Sequence, residues 1–241
     1  MRLRVVTASY KDAALLQTWI PKLNVPYLIY HKDDQLSKNE ERKVDDSNIF
    51  IPNYGRCDYA FLYHIIQNYD QLDDVTLFVK NNWEMYGINL WGHVNNCTNY
   101  DYMESGTLIR YQYWKDLPAN VPRHELLYSN KHLFTETAFD WYHQIFPGIE
   151  PPHIVVGWGH GPCFSVSREL IRRHPKSVYV RLLEKFYPES GSWNIEIGNK
   201  YFPDPIKQLE DVGKHYHDCF QRFWFLLFTH NTDPAKFKIF K

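Results

Sequence analysis

The sequence predicts a single α/β domain with a mostly parallel central sheet flanked by helices and an aromatic-rich, irregular second half. Three observations lead there. Short apolar runs alternate with helical segments from Arg4 to Lys80, the order expected of parallel strands joined by crossovers. No repeat and no Pro/Gly/Ser-rich linker divides the 241 residues. Beyond residue 84 the aromatic density stays high while the periodicity fades.

Arg4 to Thr7 reads as a short buried strand, and Ala13 to Ile20 as a helix that Pro21 ends. Tyr27 to Tyr30 is a second strand, running into the polar end His31-Lys32-Asp33-Asp34. The charge-dense residues 35–48 read as a solvated excursion, followed by a strand from Asn48 to Ile51 and the turn Pro52-Asn53-Tyr54-Gly55-Arg56. Phe61, Leu62, Ile65, Ile66 and Tyr69 then mark one face of a helix. Val75 to Val79 is the next strand, ending at Lys80-Asn81-Asn82-Trp83. Ligands bind beyond the carboxyl ends of such strands, so Ala8–Asp12, His31–Asp34, Asn53–Arg56 and Lys80–Trp83 are expected to gather there.

From Glu84 to Pro152 helices and long loops are expected to cover the pocket. Ile154 to Val156 reads as a strand leading into Gly157-Trp158-Gly159-His160-Gly161, where three glycines in five residues call for tight turning or a close backbone approach. Cys163 to Val166 reads as a strand, Ser167 as the N-cap of a helix, and Ser177 to Phe186 as a further helix. Phe220, Phe223, Trp224, Leu227 and Phe228 form a last apolar stripe, read as core.

Composition excludes several classes. Twenty-seven basic residues against twenty-eight acidic ones leave no basic stripe for a nucleic acid. The most apolar stretch, Phe223 to Phe228, is too short for a membrane span, and with no leader-like segment at Met1 the expected location is cytoplasmic. The four cysteines, Cys57, Cys97, Cys163 and Cys219, have neither disulfide-framework nor zinc-ribbon spacing. No phosphate-binding Gly-x-x-x-x-Gly-Lys-Ser/Thr loop, dinucleotide Gly-x-Gly-x-x-Gly turn, His-Glu-x-x-His or Gly-x-Ser-x-Gly elbow occurs. Aromatics make up 17% of the chain, which fits a large core or rings that stack on sugars.

Asn53-Tyr54-Gly55-Arg56, then Tyr59 through Tyr69, Asp70, Leu72 and Asp74 to Phe78, resemble an uncharacterised-domain family of eukaryotes and large DNA viruses. Cys163-Phe164-Ser165-Val166-Ser167-Arg168, with Pro175, Tyr179 and the Trp224 to Phe228 ending, match the same pattern. The family is similar in organisation to GT-A glycosyltransferases. The resemblance implies one GT-A-like domain over 1–241, with a nucleotide-binding half at 1–83 and an acceptor-side half at 84–241. It implies a nucleotide-sugar donor, UDP being the commonest nucleotide, and a glycan or glycoprotein acceptor. Two departures matter: Cys57 stands where the family carries Glu after Gly-Arg, and Gln221 where an acid precedes the last Trp. The Asp-x-Asp that commonly holds a divalent metal in GT-A enzymes is replaced by Lys80-Asn81-Asn82.

Charge developing on a departing diphosphate must be stabilised. Arg56 and Lys80 are the first candidates, with Lys32 and His160 behind them. A turn-stabilising contact for Arg56 and a solvated strand end for Lys80 are the alternatives. No metal ligands are assigned, and a divalent ion held by Asp33, Asp34 or the group His215, His217 and Asp218 stays open. A general base is sought in Glu184, Glu189 or Glu196, with Glu189 in the turn Pro188-Glu189-Ser190-Gly191 preferred. Thr7, Ala8, Ser9 and Tyr10 would wrap the base, Tyr10 as a stacking ring or else a core aromatic. Asp33 or Asp34 would accept from ribose, and Asn53, Asn81 and Asn82 would complete the donor site. Trp83, Trp158, Gly159, His160 and Gly161 would line the sugar and acceptor side. The rival readings are a non-catalytic carbohydrate-binding module, a catalytically dead family member and a methyltransferase.

Overall fold

A computed structural model of the chain describes residues 1–105, 143, 144, 146–148, 163–187, 224, 227, 228 and 236–240, with backbone alone at 56, 86, 104, 105 and 237–240. Strand β1 (Leu3–Ser9) sits in the middle of the sheet because its apolar residues feed both faces, Val6 one and Val5 the other. Helix α1 (Ala13–Trp19) and a 3-10 turn (Ile20–Lys22) return the chain to β2 (Tyr27–Asp33), parallel to β1. The excursion that follows holds one two-residue strand, β3 (Arg42–Lys43), antiparallel to β4 (Asn48–Pro52). Helix α2 (Arg56–Asn68) then crosses to β5 (Val75–Lys80), which lies on the other side of β1 and is parallel to it.

With β6 (Tyr102–Ser105), β7 (Phe164–Ser167) and β8 (Phe237–Phe240), the sheet has eight strands among the described residues, in the order β3-β4-β2-β1-β5-β7-β6-β8. The run β4-β2-β1-β5 is parallel throughout. Beyond it β7 is antiparallel to both β5 and β6, and β8 is parallel to β6. The expected α/β architecture therefore holds, with a parallel half and a mixed half. Apolar periodicity reports which residues are covered and not the direction of the neighbouring strand, so the antiparallel pairs were not foreseen. Strand β6 departs from the reading of helices and long loops over Glu84 to Pro152, and β8 falls in a stretch where no strand was expected. Each is only four residues long, and they meet across a wide gap in sequence.

Helices cover both faces. α2, α4 (Arg168–Arg172) and α5 (Lys176–Glu184) pack on Val6, Tyr30, Phe78, Phe164 and Val166. α1 and α3 (Leu90–Asn96) pack on Val5, Leu77, Val79 and Met103. This explains why β5 is buried at every position. Ser167 caps α4 as expected, its hydroxyl accepting from Leu170 N. Much of the aromatic content is core: Phe61, Phe78, Phe164 and Trp224 form a chain of ring contacts at centroid distances of 4.9, 5.1 and 5.1 Å. Trp224, Leu227 and Phe228 are buried there, as the apolar stripe predicts.

The turn into α2 is held open by Gly55, which has φ +48° and ψ 30°. A Cβ at this position would fall inside the ring of Phe186. Gly87 has a similar φ of +66° but open space around it. A left-handed non-glycine residue costs about 1–2 kcal/mol and overpacking about 1–3 kcal/mol more. Gly55→Ala is therefore expected to lower the urea midpoint by about 2–5 kcal/mol worth of stability, and Gly87→Ala by the first term alone; equal losses would contradict this packing.

Two histidines are buried in the two cores. His64 contacts the Tyr30 hydroxyl at 3.1 Å and the Asn68 carboxamide at 3.3 Å, and burial pushes its pKa down to about 3. His93 contacts the Met103 carbonyl at 3.2 Å, and burial, partly opposed by that bond, brings it down to about 4. Unfolded histidine binds its proton near pH 6.5, so below that pH the unfolded chain holds more protons than the folded one. Stability present at neutral pH is expected to fall by up to about 1.4 kcal/mol per pH unit per histidine on acidification. Urea unfolding at pH 7.5 and 5.5 reads the slope, and His64→Phe is expected to reduce it.

Candidate functional site

The carboxyl ends of β1, β2, β4 and β5 open onto a cleft of about 210 Å³. It lies where the strand order reverses, with β2 and β4 built to one side of β1 and β5 to the other. Its described lining comes from all four loops: Ala8, Ser9, Tyr10 and Asp12; Lys32; Asn53 and Cys57; Lys80, Asn81 and Asn82. The gathering expected from strand order is therefore present in space.

Hydrogen bonds fix the first loop. Asp12 Oδ1 accepts from Ser9 Oγ at 2.6 Å and from Tyr10 N at 2.8 Å, folding Ala8–Asp12 into a tight turn. Asn81 joins this turn to β5: its Nδ2 donates to the Asp12 carbonyl at 3.1 Å, and its Oδ1 accepts from Trp19 Nε1 at 3.0 Å. Lys32 is held from the other side. Its Nζ donates to the Tyr54 carbonyl and stands 5.2 Å from the centre of the Tyr59 ring. Lys32 and Lys80 are only 8% and 9% exposed, yet both line the cleft.

Tyr10 is a cleft residue rather than a core aromatic. Its hydroxyl donates to Asp34 Oδ2 at 2.8 Å, and Lys11 Nζ lies 4.5 Å from its ring centre. Asp34 also accepts from Asn53 Nδ2 at 2.7 Å and pairs with Lys11 Nζ at 3.1 Å. Burial works to raise its pKa, but the bonds from Asn53, Tyr10 and Lys11 outweigh this and hold the carboxyl below its ordinary value. Asp34 thus clasps the loops after β1, β2 and β4 at the rim.

Other residues named from the sequence lie elsewhere. Thr7 is fully buried in β1, its hydroxyl without a hydrogen-bond partner among the described residues. Asp33 remains within β2, accepting from Gln35 N at 2.9 Å and pairing with Arg42 at 3.3 Å. Trp83 is buried in the core beneath α1 and α3, away from the lining. Glu184 is the exposed last residue of α5 and is not part of the lining. Arg56 opens α2 with only its backbone described. Trp158, Gly159, His160, Gly161, Glu189, Glu196, His215, His217 and Asp218 lie outside the described residues.

Cys57, noted from the sequence as a departure from the family pattern, and Asp12, the end of the Ala8–Asp12 segment, also line the cleft, though neither was named as a ligand contact. A signal for Lys32 was present, since Leu28, Tyr30 and Lys32 alternate on one face of β2 and the lysine takes the last position of a buried row. Beside Cys57, Asp58 is fully buried and accepts from Trp224 Nε1 at 2.7 Å, tying the start of α2 to the aromatic core. No group of three or more His, Cys, Asp or Glu side chains that could hold a metal ion occurs among the described residues. Nor, among them, is any helix long and apolar enough to cross a membrane.

Fold and cleft together define an α/β protein with a cleft, rich in hydrogen-bond donors, at the switch point of its sheet. The chain belongs to the family described as "Protein of unknown function (DUF3431)", which it matches over residues 5–192, a span that includes every described lining residue. No curated protein matches it. Solved structures that match include the crystal structure of S. aureus TarS 1-349, at 12% identity and a TM-score of 0.32, covering 96% of this chain and 74% of that one. A likeness that distant carries no argument.

Proposed function

We propose that the chain is a glycosyltransferase that takes sugar from a nucleotide-sugar donor, a UDP-sugar in the first instance, and passes it to a glycan or glycoprotein acceptor. The observation that carries this reading is the cleft at the carboxyl ends of the parallel strands, where Tyr10, Lys32, Asn53, Lys80 and Asn82 meet. A ring at the rim, carboxamides within and ammonium groups at the floor suit a base, a ribose and a diphosphate in turn. Asp34, clasped by Tyr10, Lys11 and Asn53, keeps the rim in shape beside the ribose.

In the transfer, the bond between the sugar's anomeric carbon and the donor's phosphate oxygen breaks, and its electron pair leaves with the diphosphate. An acceptor hydroxyl oxygen forms the new bond to that carbon and gives its proton to a general base. Lys80, with Lys32 also in the lining, stabilises the charge that develops on the leaving group. Glu184 lies off the cleft, so Glu189 is the acid to test as the base.

Thermal unfolding against UDP-sugars, GDP-sugars and S-adenosylmethionine tests the reading. A donor at about a hundred times its Kd is expected to raise Tm by roughly 5–10 °C. Release of nucleoside diphosphate is then followed with the stabilising donor and a glycan acceptor. Lys80→Met is expected to lower kcat/KM by about 10²–10³-fold, and Glu189→Gln to lower kcat while donor binding persists. Stabilisation by S-adenosylmethionine alone would replace the reading with methyl transfer, and stabilisation by free glycans alone would replace it with a binding module.

A further inference from the structure

GT-A-like donor sites commonly bind the diphosphate through a divalent ion held by carboxylates at the end of a central strand. The described donor set in this cleft does not fit such an ion. Divalent magnesium and calcium take oxygen ligands, with carboxylates supplying the charge. The described lining instead offers two ammonium groups, from Lys32 and Lys80, which repel a cation, and three carboxamides, from Asn53, Asn81 and Asn82, whose oxygens can ligate a metal but bring no charge to it. Its one carboxylate is Asp12, and Asp12 Oδ1 is engaged by Ser9 and Tyr10 in shaping the loop. At the end of β5, where a metal-binding pair would stand, the chain reads Lys80-Asn81-Asn82, and Asn81 is committed to Asp12 and Trp19.

We propose that this cleft binds a diphosphate group directly through Lys32 and Lys80, with no divalent metal between protein and ligand. The proposal rests on reading the cleft as the donor site only for the identity of the ligand that carries the diphosphate. Phosphate oxygens accept hydrogen bonds and carry negative charge, so ammonium and carboxamide donors complement them. Lys32 is pre-positioned by the Tyr54 carbonyl and the Tyr59 ring, which orient its ammonium before a ligand arrives. Lys80 is fixed by its place as the last residue of β5, paired in register with Ala8 of β1. The two cations thus approach the ligand from the ends of two strands, β2 and β5, that flank β1.

The test is titration calorimetry of the full chain with inorganic pyrophosphate, once in EDTA and once in excess magnesium. Binding in EDTA is expected, unchanged or weaker when magnesium is added, since the metal competes for the ligand. Lys32→Gln and Lys80→Gln are each expected to weaken it at least about tenfold in EDTA. A measurement on the unaltered protein guards against variants that fail to fold: pyrophosphate in EDTA is expected to protect Lys32 and Lys80 from acetylation, read by mass spectrometry. Binding that appears only with magnesium, or binding in EDTA that leaves both lysines open to acetylation, overturns the proposal. The two readings separate cleanly. Metal-free pyrophosphate binding with no nucleotide-sugar turnover keeps the diphosphate site and removes the transferase, and turnover of a nucleotide sugar that EDTA abolishes does the reverse.

Discussion

At the end of β4 the chain turns through Gly55 in the left-handed region, with the Phe186 ring standing where a side chain would go. That turn sets the start of α2, and with it three features of the cleft. The Tyr54 carbonyl faces Lys32, Asn53 reaches Asp34 at the rim, and Cys57 enters the lining from the first turn of the helix. One position later Asp58 is buried against Trp224, which couples the same helix start to the aromatic core. The described part of the cleft is therefore tied to the packing of the core.

The remaining walls follow from strand order. Because β5 lies beside β1 while β2 and β4 lie on its far side, the loops after these strands diverge and leave a crevice. Asn81 and Asp12 close one side of it by hydrogen bonds, and Asp34 closes another. Several lining side chains hold the scaffold together at the same time: Asn81 and Asp12 join the loops after β1 and β5, Lys32 donates to the Tyr54 carbonyl, and Asn53 donates to Asp34.

Much of the parallel half was legible in the sequence, because buried strands and an amphipathic α2 write clear periods. The meeting of four loop segments followed from their order alone. What escaped was non-local. The antiparallel seating of β7, the short strands β6 and β8, and the bond from Asp58 to Trp224, 166 residues apart, leave no local trace. Among site residues, Lys80, Asn53 and Tyr10 were named and line the cleft. Asp33 and Trp83 were named from their position at strand ends, but pleat direction turns Asp33 to Arg42, and packing takes Trp83 into the core beneath α1 and α3. Lys32, placed behind Arg56 and Lys80, ends the Leu28–Tyr30 row of β2 and lines the cleft.

The proposed function requires ligand binding at the carboxyl edge of the parallel strands. Backbone amide chemical shifts followed during titration with UDP test this most directly. The largest changes are expected to cluster at Ala8–Asp12, Lys32, Asn53, Cys57 and Lys80–Asn82. Changes centred on the opposite edge of the sheet, around Asp74, Tyr100, Asp101 and Glu169, would contradict it.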